Sequence, residues 1–361
     1  DNGTMSEAEY NKVCKDYIDE SLYSTSANSD GTVNISGFKS SAPSSYKDNV
    51  WALPTKIDGK TVTGISTGSF AQKGISSKLI ISPTIKTLDS NSFVSNSILA
   101  LALPDSVTSI GATSFAGNSI SSLIVPGSVE LIDEYAFVSN NISKLTLKEG
   151  IKTLNNYCFG NNSFKSIKLP DSLTTVGIAF NGTPIETLDT GGGFKITVDA
   201  FLSLKSSLKN LAIGSDTLQT EQTFEDAAFQ NFTVLETLTI RKNVKTLSTQ
   251  LFELDSALTT VTLPSTIENI GDYAFNKCFA LSNVELPNGL ISIGKFSFSN
   301  MNLKSITIPS TVTSIGNYAF YNNSNLTTID DNSGLSTCSM VSSNTTINNK
   351  KNNTSLTCSA N

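Results

Sequence analysis

The chain has 361 residues, a formal net charge of −6 and only 16% charged residues, against roughly 25% in ordinary soluble domains. Its lysines are scattered singly and Arg241 is its one arginine, which argues against nucleic acid, because phosphate-backbone binding rests on clustered Lys and Arg. It contains no histidine, so the commonest general base, the commonest zinc ligand and every Ser-His or Cys-His nucleophile are missing.

In chain order, residues 5–22 (MSEAEYNKVCKDYIDESL) carry helix-like apolar spacing behind an acidic first turn. Residues 32–38 and 50–65 read as entry strands that cover the first repeat. Along the rest of the chain a phrase recurs: LPDSVTSIGATSF (103–115), VPGSVELIDEYAF (125–137), LPSTIENIGDYAF (263–275), TIPSTVTSIGNYAF (307–320). Its final phenylalanine recurs as Phe70, Phe93, Phe115, Phe137, Phe159, Phe180, Phe201, Phe229, Phe252, Phe275, Phe298 and Phe320, spaced by 21–23 residues except for a gap of 28 after Phe201. A period of this size marks a solenoid. A single unit buries too few apolar side chains to offset the ordering of its backbone, so units must stack.

The last full unit shows the local logic. Leu303, Ile306 and Ile308 alternate inward as a short strand, and Pro309 ends it for want of an N–H. Val312 and Ile315 turn back inward, Gly316 is expected to permit a tight turn, and Ala319 and Phe320 fill the centre. The reading is a leucine-rich-repeat solenoid, α+β but mostly β, with a single parallel sheet of one short strand per ~22-residue turn and a helical and strand cap at the N-terminus. Residues 1–49 form that cap, 50–330 the solenoid with an irregular stretch at 181–229, and 331–361 a polar cap or tail. LTTI (326–329) is expected as the last strand, and the Ser/Asn/Thr-rich residues 331–361 read either as a small hairpin cap or as a partly disordered tail. The GGGF run (191–194) lacks a following GK[ST] and is no phosphate cradle.

Of the five cysteines, none forms a CxxC pair. Cys158 and Cys278 read as small buried side chains, and Cys338 and Cys358 can be bridged in an oxidising compartment. No apolar run reaches the ~18 residues of a membrane span, and the polar, acidic DNGTMSEAEY is no signal peptide.

The I/L/V-P-x-S/T-V/I-x-x-I-G-x-x-A-F series quoted above resembles the BspA-like family of leucine-rich-repeat surface proteins, found in bacteria and some protozoa. ALPTKIDGKTVTGISTGSF (52–70) is similar to that family's opening unit. The resemblance spans about 50–330 and weakens at 181–229. It implies a secreted or surface-anchored protein that binds other macromolecules, typically host or neighbouring-cell proteins, and it implies no catalytic residues.

Two surfaces are candidates for binding. The outward strand positions are Ser122, Ile124, Lys144, Thr146, Ser166, Lys168, Thr237, Thr239, Thr260, Thr262, Asn283, Glu285, Ser305 and Thr307. They make a ladder of short hydroxyls, whose simpler reading is exposed strand residues with good β propensity. At the N-terminal end Ile80, Ala100, Ala102 and Ile124 share that face and would form an apolar contact patch. The second surface is the position two before each Phe, where Tyr135 and Tyr157, and then Tyr273, Phe296 and Tyr318, would line up at one repeat spacing. Such a row can meet a sugar or an apolar peptide, though flank covering is its commoner role.

Enzyme readings are weaker. S-x-x-K occurs at Ser36–Lys39, Ser44–Lys47 and Ser206–Lys209, about as often as chance gives in so serine-rich a chain. Asp330–Asp331 and Glu225–Asp226 are isolated acid pairs, and DDNSG (330–334) lacks the alternating oxygen ligands of a calcium loop. No outward column gathers acids as a solenoid polysaccharide lyase would need. The expectation is therefore a non-enzymatic module, without cofactor or metal, for an extracellular protein partner. A glycan partner, a carbohydrate-active solenoid and a passive spacer for another domain are the alternatives.

Overall fold

The structure is a computed structural model, and it describes residues 6–40, 50–342 and 344–358. The chain divides into two compact units, Asp1–Pro184 and Ile185–Asn361. Each is a parallel β-solenoid carrying six of the recurrent phenylalanines.

In the first unit Ser6 and Glu9 open helix α1 (Glu7–Val13) with a reciprocal cap: Glu9 N–H donates to Ser6 Oγ at 3.3 Å, and Ser6 N–H to the Glu9 carboxylate at 3.0 Å. The helix is shorter than the expected 5–22. After Val13 the chain breaks into 3-10 turns at Lys15–Tyr17 and Glu20–Leu22, the second held by Asp19, which accepts from Ser21 N–H at 3.0 Å. Asp and Ser bond their own local backbone in preference to extending a helix.

Strands Tyr23–Ala27 and Val33–Phe38 pair antiparallel, and Lys60–Ile65 joins Val33–Phe38 in parallel. Beyond them each turn carries the expected strand, as at Lys78–Ile80, Ala100–Ala102, Ser122–Val125, Lys144–Leu147 and Ser166–Lys168. It also carries a second strand of two residues that the expectation of one strand per turn did not include. These form their own parallel ladder: Thr87–Leu88, Ser109–Ile110, Leu131–Ile132, Thr153–Leu154, Thr175–Val176. Two residues show no alternation to read, and it is stacking that supplies the partner strand.

The core is a file of rings. Phe70, Phe93, Phe115, Phe137, Phe159 and Phe180 are fully buried, with successive centroids 5.2, 5.1, 5.3, 5.5 and 6.2 Å apart. Each contributes roughly 2–3 kcal/mol by burial. Trp51 closes the N-terminal end edge-on to Phe70 and donates its indole N–H to Tyr23 at 2.7 Å.

Beside the rings runs a polar column, three residues after each Phe from Phe93 to Phe180. Asn118 Nδ2 donates to the carbonyls of Phe93 and Phe115, both at 3.0 Å, while its Oδ1 accepts from Ile98 N–H at 3.0 Å. Asn96, Asn140 and Asn162 repeat the pattern, and Thr183 ends it by donating to Phe159 O at 3.0 Å. These side chains satisfy turn backbone that would otherwise be buried unpaired.

From Phe70 to Phe159 each Phe is also flanked, two residues before and two after, by left-handed backbone: φ is 55° at Thr113, 58° at Tyr135, 59° at Tyr157 and 55° at Ser139. In the second unit the same holds at Tyr273, Phe296 and Tyr318. Gly316 is different. It has no left-handed φ, contrary to the expected tight turn; the turn is made at Tyr318, and Gly316 instead allows the backbones of Gly294 and Lys295 to approach where a Cβ would clash.

The second unit has the ladder Thr187–Asp189, Asn210–Ile213, Thr237–Ile240, Thr260–Thr262 and the short ladder Thr246–Leu247, Asn269–Ile270, Ser292–Ile293, Ser314–Ile315. Phe201, Phe229, Phe252, Phe275, Phe298 and Phe320 stack at 5.5–6.0 Å. Its irregular turn is tied by Arg241, whose guanidinium grips Asp189 with two bonds of 2.6 and 2.8 Å and donates to Gly214 O at 3.1 Å. Asn243 adds bonds to Gly192 O at 3.1 Å and from Ser215 N–H at 2.6 Å.

The unit closes with Ser305–Ile308, Thr328–Asp331 and Thr346–Asn349 in parallel, then Thr354–Thr357 folded back antiparallel. Cys338 and Cys358 form a disulfide there.

Candidate binding face

In the first unit Ser122, Ile124, Lys144, Thr146, Ser166 and Lys168 are all exposed. Register pairs Ser122 with Lys144 and Ile124 with Thr146. Ile124 is 55% exposed on a strand whose neighbours Leu123 and Val125 are buried.

Ile80 does not lie open as expected. It is half-buried against a cluster of Tyr10, Cys14 and Ala52, with Ile18 beside it. Tyr10, from α1, donates its hydroxyl to Leu53 O at 2.8 Å and reaches Ile80 O at 3.4 Å. Burial pushes both the Tyr10 hydroxyl and the Cys14 thiol up, so both stay neutral. The N-terminal segment thus covers the start of the outward column, where Ala52, Ile80 and Ala102 sit in register. Ala100 and Ala102 are half-buried and Ile124 opens beyond them. Leu99, 54% exposed, is an apolar neighbour that the strand pattern did not single out.

In the second unit Thr239, Thr260, Thr262, Ser305 and Thr307 are exposed, while Thr237 is half-buried and donates to Asn210 Oδ1 at 2.7 Å. Asn283 and Glu285 are exposed too, but residues 282–286 form no strand. Asn283 has low strand propensity, and that rung is missing although Pro287 stands where Pro126 and Pro309 follow formed strands. A shallow polar hollow lies there, lined by Asn283, Glu285, Asn288, Ser305, Thr307 and Asn332.

The aromatic rows form as spaced. Tyr135 and Tyr157 stack at 5.0 Å; Tyr273, Phe296 and Tyr318 stack at 5.1 and 4.9 Å. Tyr321 then meets Tyr318 edge-on at 5.5 Å. Neighbouring rings use up one another's faces and leave mainly edges to solvent. A sugar docks on a ring face, so this geometry favours flank covering.

The acid and lysine sites are taken up by the fold. Among the described residues neither Ser36–Lys39 nor Ser206–Lys209 makes a Ser–Lys hydrogen bond, and Lys209 pairs with Glu186 at 3.2 Å. Ser44–Lys47 lies outside the described residues. Glu225 accepts from Val198 N–H at 3.1 Å and Asp226 from Thr249 N–H at 3.1 Å.

In DDNSG, Asp331 is buried; desolvation opposes its ionisation, yet bonds from Ser333, Gly334 and Ser336 hold its carboxyl below the usual range. Its oxygens serve that turn. Among the described residues no group of three His, Cys, Asp or Glu converges as metal ligands, and no helix is long and apolar enough to cross a membrane.

The family model described as a BspA type leucine rich repeat region matches residues 56–142, 130–259 and 254–357. No curated protein matches the chain. Among solved structures it is similar to a leucine-rich repeat protein from Bacteroides ovatus, at 19% identity over 87% of this chain and 93% of that one, TM-score 0.44. It is also similar to the pneumococcal vaccine antigen PcpA, at 17% identity over 86% and 80%, TM-score 0.41. A third likeness is to a leucine rich cell surface protein from Faecalibacterium prausnitzii, at 18% identity over 87% and 88%, TM-score 0.38.

Proposed function

The chain belongs to the BspA-type leucine-rich-repeat family, and from that premise we propose that it is a non-enzymatic adhesion module that binds a protein partner outside the cell through its strand face. The observation that carries this reading is the strand face of the first unit. There α1 already packs on Ala52 and Ile80, so the face accepts a packed protein segment. Past that segment the face continues through Ala102 to the exposed Ile124, with Ser122, Lys144, Thr146, Ser166 and Lys168 around it.

Ile124 supplies apolar area at the centre of a hydroxyl rim that costs little to desolvate, the layout of a protein contact. An extracellular setting is supported by the Cys338–Cys358 disulfide, which needs an oxidising compartment. The other cysteines, Cys14, Cys158 and Cys278, are buried.

The test is a binding screen of the full chain against extracellular-matrix proteins, receptor ectodomains and glycans, repeated with Ile124→Lys. A protein ligand lost at least tenfold in Ile124→Lys supports the proposal. Recovery of glycans alone, or of a protein ligand indifferent to Ile124→Lys, overturns it.

A further inference from the structure

The polar column beside the phenylalanines is rewritten in the second unit as Phe232, Asp255, Cys278, Met301 and Asn323. Asn323 acts as the first-unit asparagines do, donating to Phe298 O at 2.8 Å and Phe320 O at 2.9 Å and accepting from Leu303 N–H at 3.2 Å. Cys278 keeps the donor half, its thiol reaching Phe252 O at 3.2 Å.

Asp255 keeps the acceptor half: its Oδ1 takes the N–H of Phe232 at 2.8 Å. Its Oδ2 is buried with no partner, and the side chain is fully enclosed. Three residues after Phe252, Asp255 stands at the repeat position from which Asn118, Thr183 and Cys278 donate to the carbonyl of the preceding turn's Phe. Among the described residues nothing else donates to Phe229 O, the carbonyl at that place. A carboxylate there would set two bare acceptors against each other in a dry interior, at a cost an acid proton removes.

We propose that Asp255 is held as the neutral acid and donates its Oδ2–H to Phe229 O, standing in for an asparagine and making this part of the second unit weaken as pH rises. Burial, the first cause, pushes the Asp255 carboxyl well above its ordinary value. The bond from Phe232 N–H and the charge of Lys205 only partly oppose it.

The groups that face it are few. Lys205 follows Phe201, two turns before Asp255, and its ammonium lies 5.9 Å over the Phe232 ring of the intervening turn. The Cys278 thiol, from the following turn, is itself pushed up by burial and by Asp255 and Glu253, so it stays neutral. Glu253, on Asp255's own turn, is spoken for by Gln230, Gln250 and Asn276. One distal lysine does not stabilise a carboxylate that lacks hydrogen-bond donors on one oxygen.

Proton counting gives the sign. Unfolded Asp releases its proton near pH 3.9. Folded Asp255 keeps it to higher pH, so across that window the folded state binds more protons and stability falls as pH rises. The contribution is complete below about pH 3.9 and lost once the folded carboxyl ionises.

The experiment is denaturant unfolding of the full chain from pH 4 to 9, wild type against Asp255→Asn, with the carboxyl 13C signal of Asp255 followed in the folded wild type. Asp255→Asn is expected to fold and to exceed the wild type at neutral pH. The wild-type folding constant should drop by up to tenfold per pH unit relative to the variant within the window, and the 13C signal should be that of a protonated acid at pH 7. Parallel pH profiles, a variant that fails to fold, or an ionised Asp255 at pH 7 would each overturn the proposal.

Discussion

The two units solve the same problem with different side chains at one position. In the first, Asn96, Asn118, Asn140 and Asn162 occupy the column after the phenylalanines, and each bridges two turns with two donors and an acceptor. In the second, Phe232, Asp255, Cys278 and Met301 fill the same place and only Asn323 restores the full pattern. The second unit compensates elsewhere, with a ring-on-ring contact of Phe229 and Phe232 at 5.6 Å, the Arg241–Asp189 clamp and a terminal disulfide. A solenoid tolerates this because each turn answers only to its neighbours. A polar rung can be exchanged for an apolar one provided the orphaned backbone finds another partner.

The difference can be broken most severely in the first unit. Asn118→Ala strands the Ile98 N–H in the core and removes one of the two side-chain bonds to each of Phe93 O and Phe115 O, which Asn96 and Asn140 still reach. It is expected to cost about 4 kcal/mol, read by urea unfolding. A loss under about 1 kcal/mol would mean that the column is ornamental.

Next in size is the disulfide of the second unit. Cys358→Ser is expected to lower stability by about 3 kcal/mol, with protection from hydrogen exchange lost first at Thr346–Asn349 and Thr354–Thr357. The two caps invite this contrast, since the N-terminal one is held by Trp51 and Tyr23 packing without a disulfide.

Gly294→Ala comes third, at about 2 kcal/mol, because the new Cβ would fall 2.5 Å from the backbone of Gly271. Asp133 and Asn155 hold the equivalent place in the first unit, so Asp133→Ala should cost far less in the same assay. Smallest is Thr113→Gly, which relieves a β-branched residue at φ 55° and loses an exposed bond to Asn91. A thermal melt should show a gain of up to about 1 kcal/mol.

Much of this architecture is legible in the residues. The Phe period, the L-x-x-I-x-I strand and the stop at Pro309 each carry a steric or hydrogen-bonding reason that holds without knowledge of neighbours. The Asn column is equally visible as F-x-x-N at Phe93–Asn96, Phe115–Asn118, Phe137–Asn140, Phe159–Asn162 and Phe320–Asn323. Its role is not, because Asn in a turn is ordinarily a surface residue, and only stacking buries it.

The second strand of each turn is hidden for the same reason: Leu131–Ile132 becomes a strand through Ser109–Ile110 and Thr153–Leu154. The binding face is readable as a set of outward positions, whereas the cover that α1 lays over Ile80 is a contact 70 residues long in sequence that no local pattern announces.

The most direct measurement moves the second unit's chemistry into the first. Asn118→Asp places a carboxyl where two carbonyls already point. If each rung must donate, its stability deficit against wild type should be small at pH 4 and grow with pH by up to tenfold in the folding constant per unit, as the folded acid resists ionisation. A deficit that stays constant from pH 4 to 9 would contradict the account.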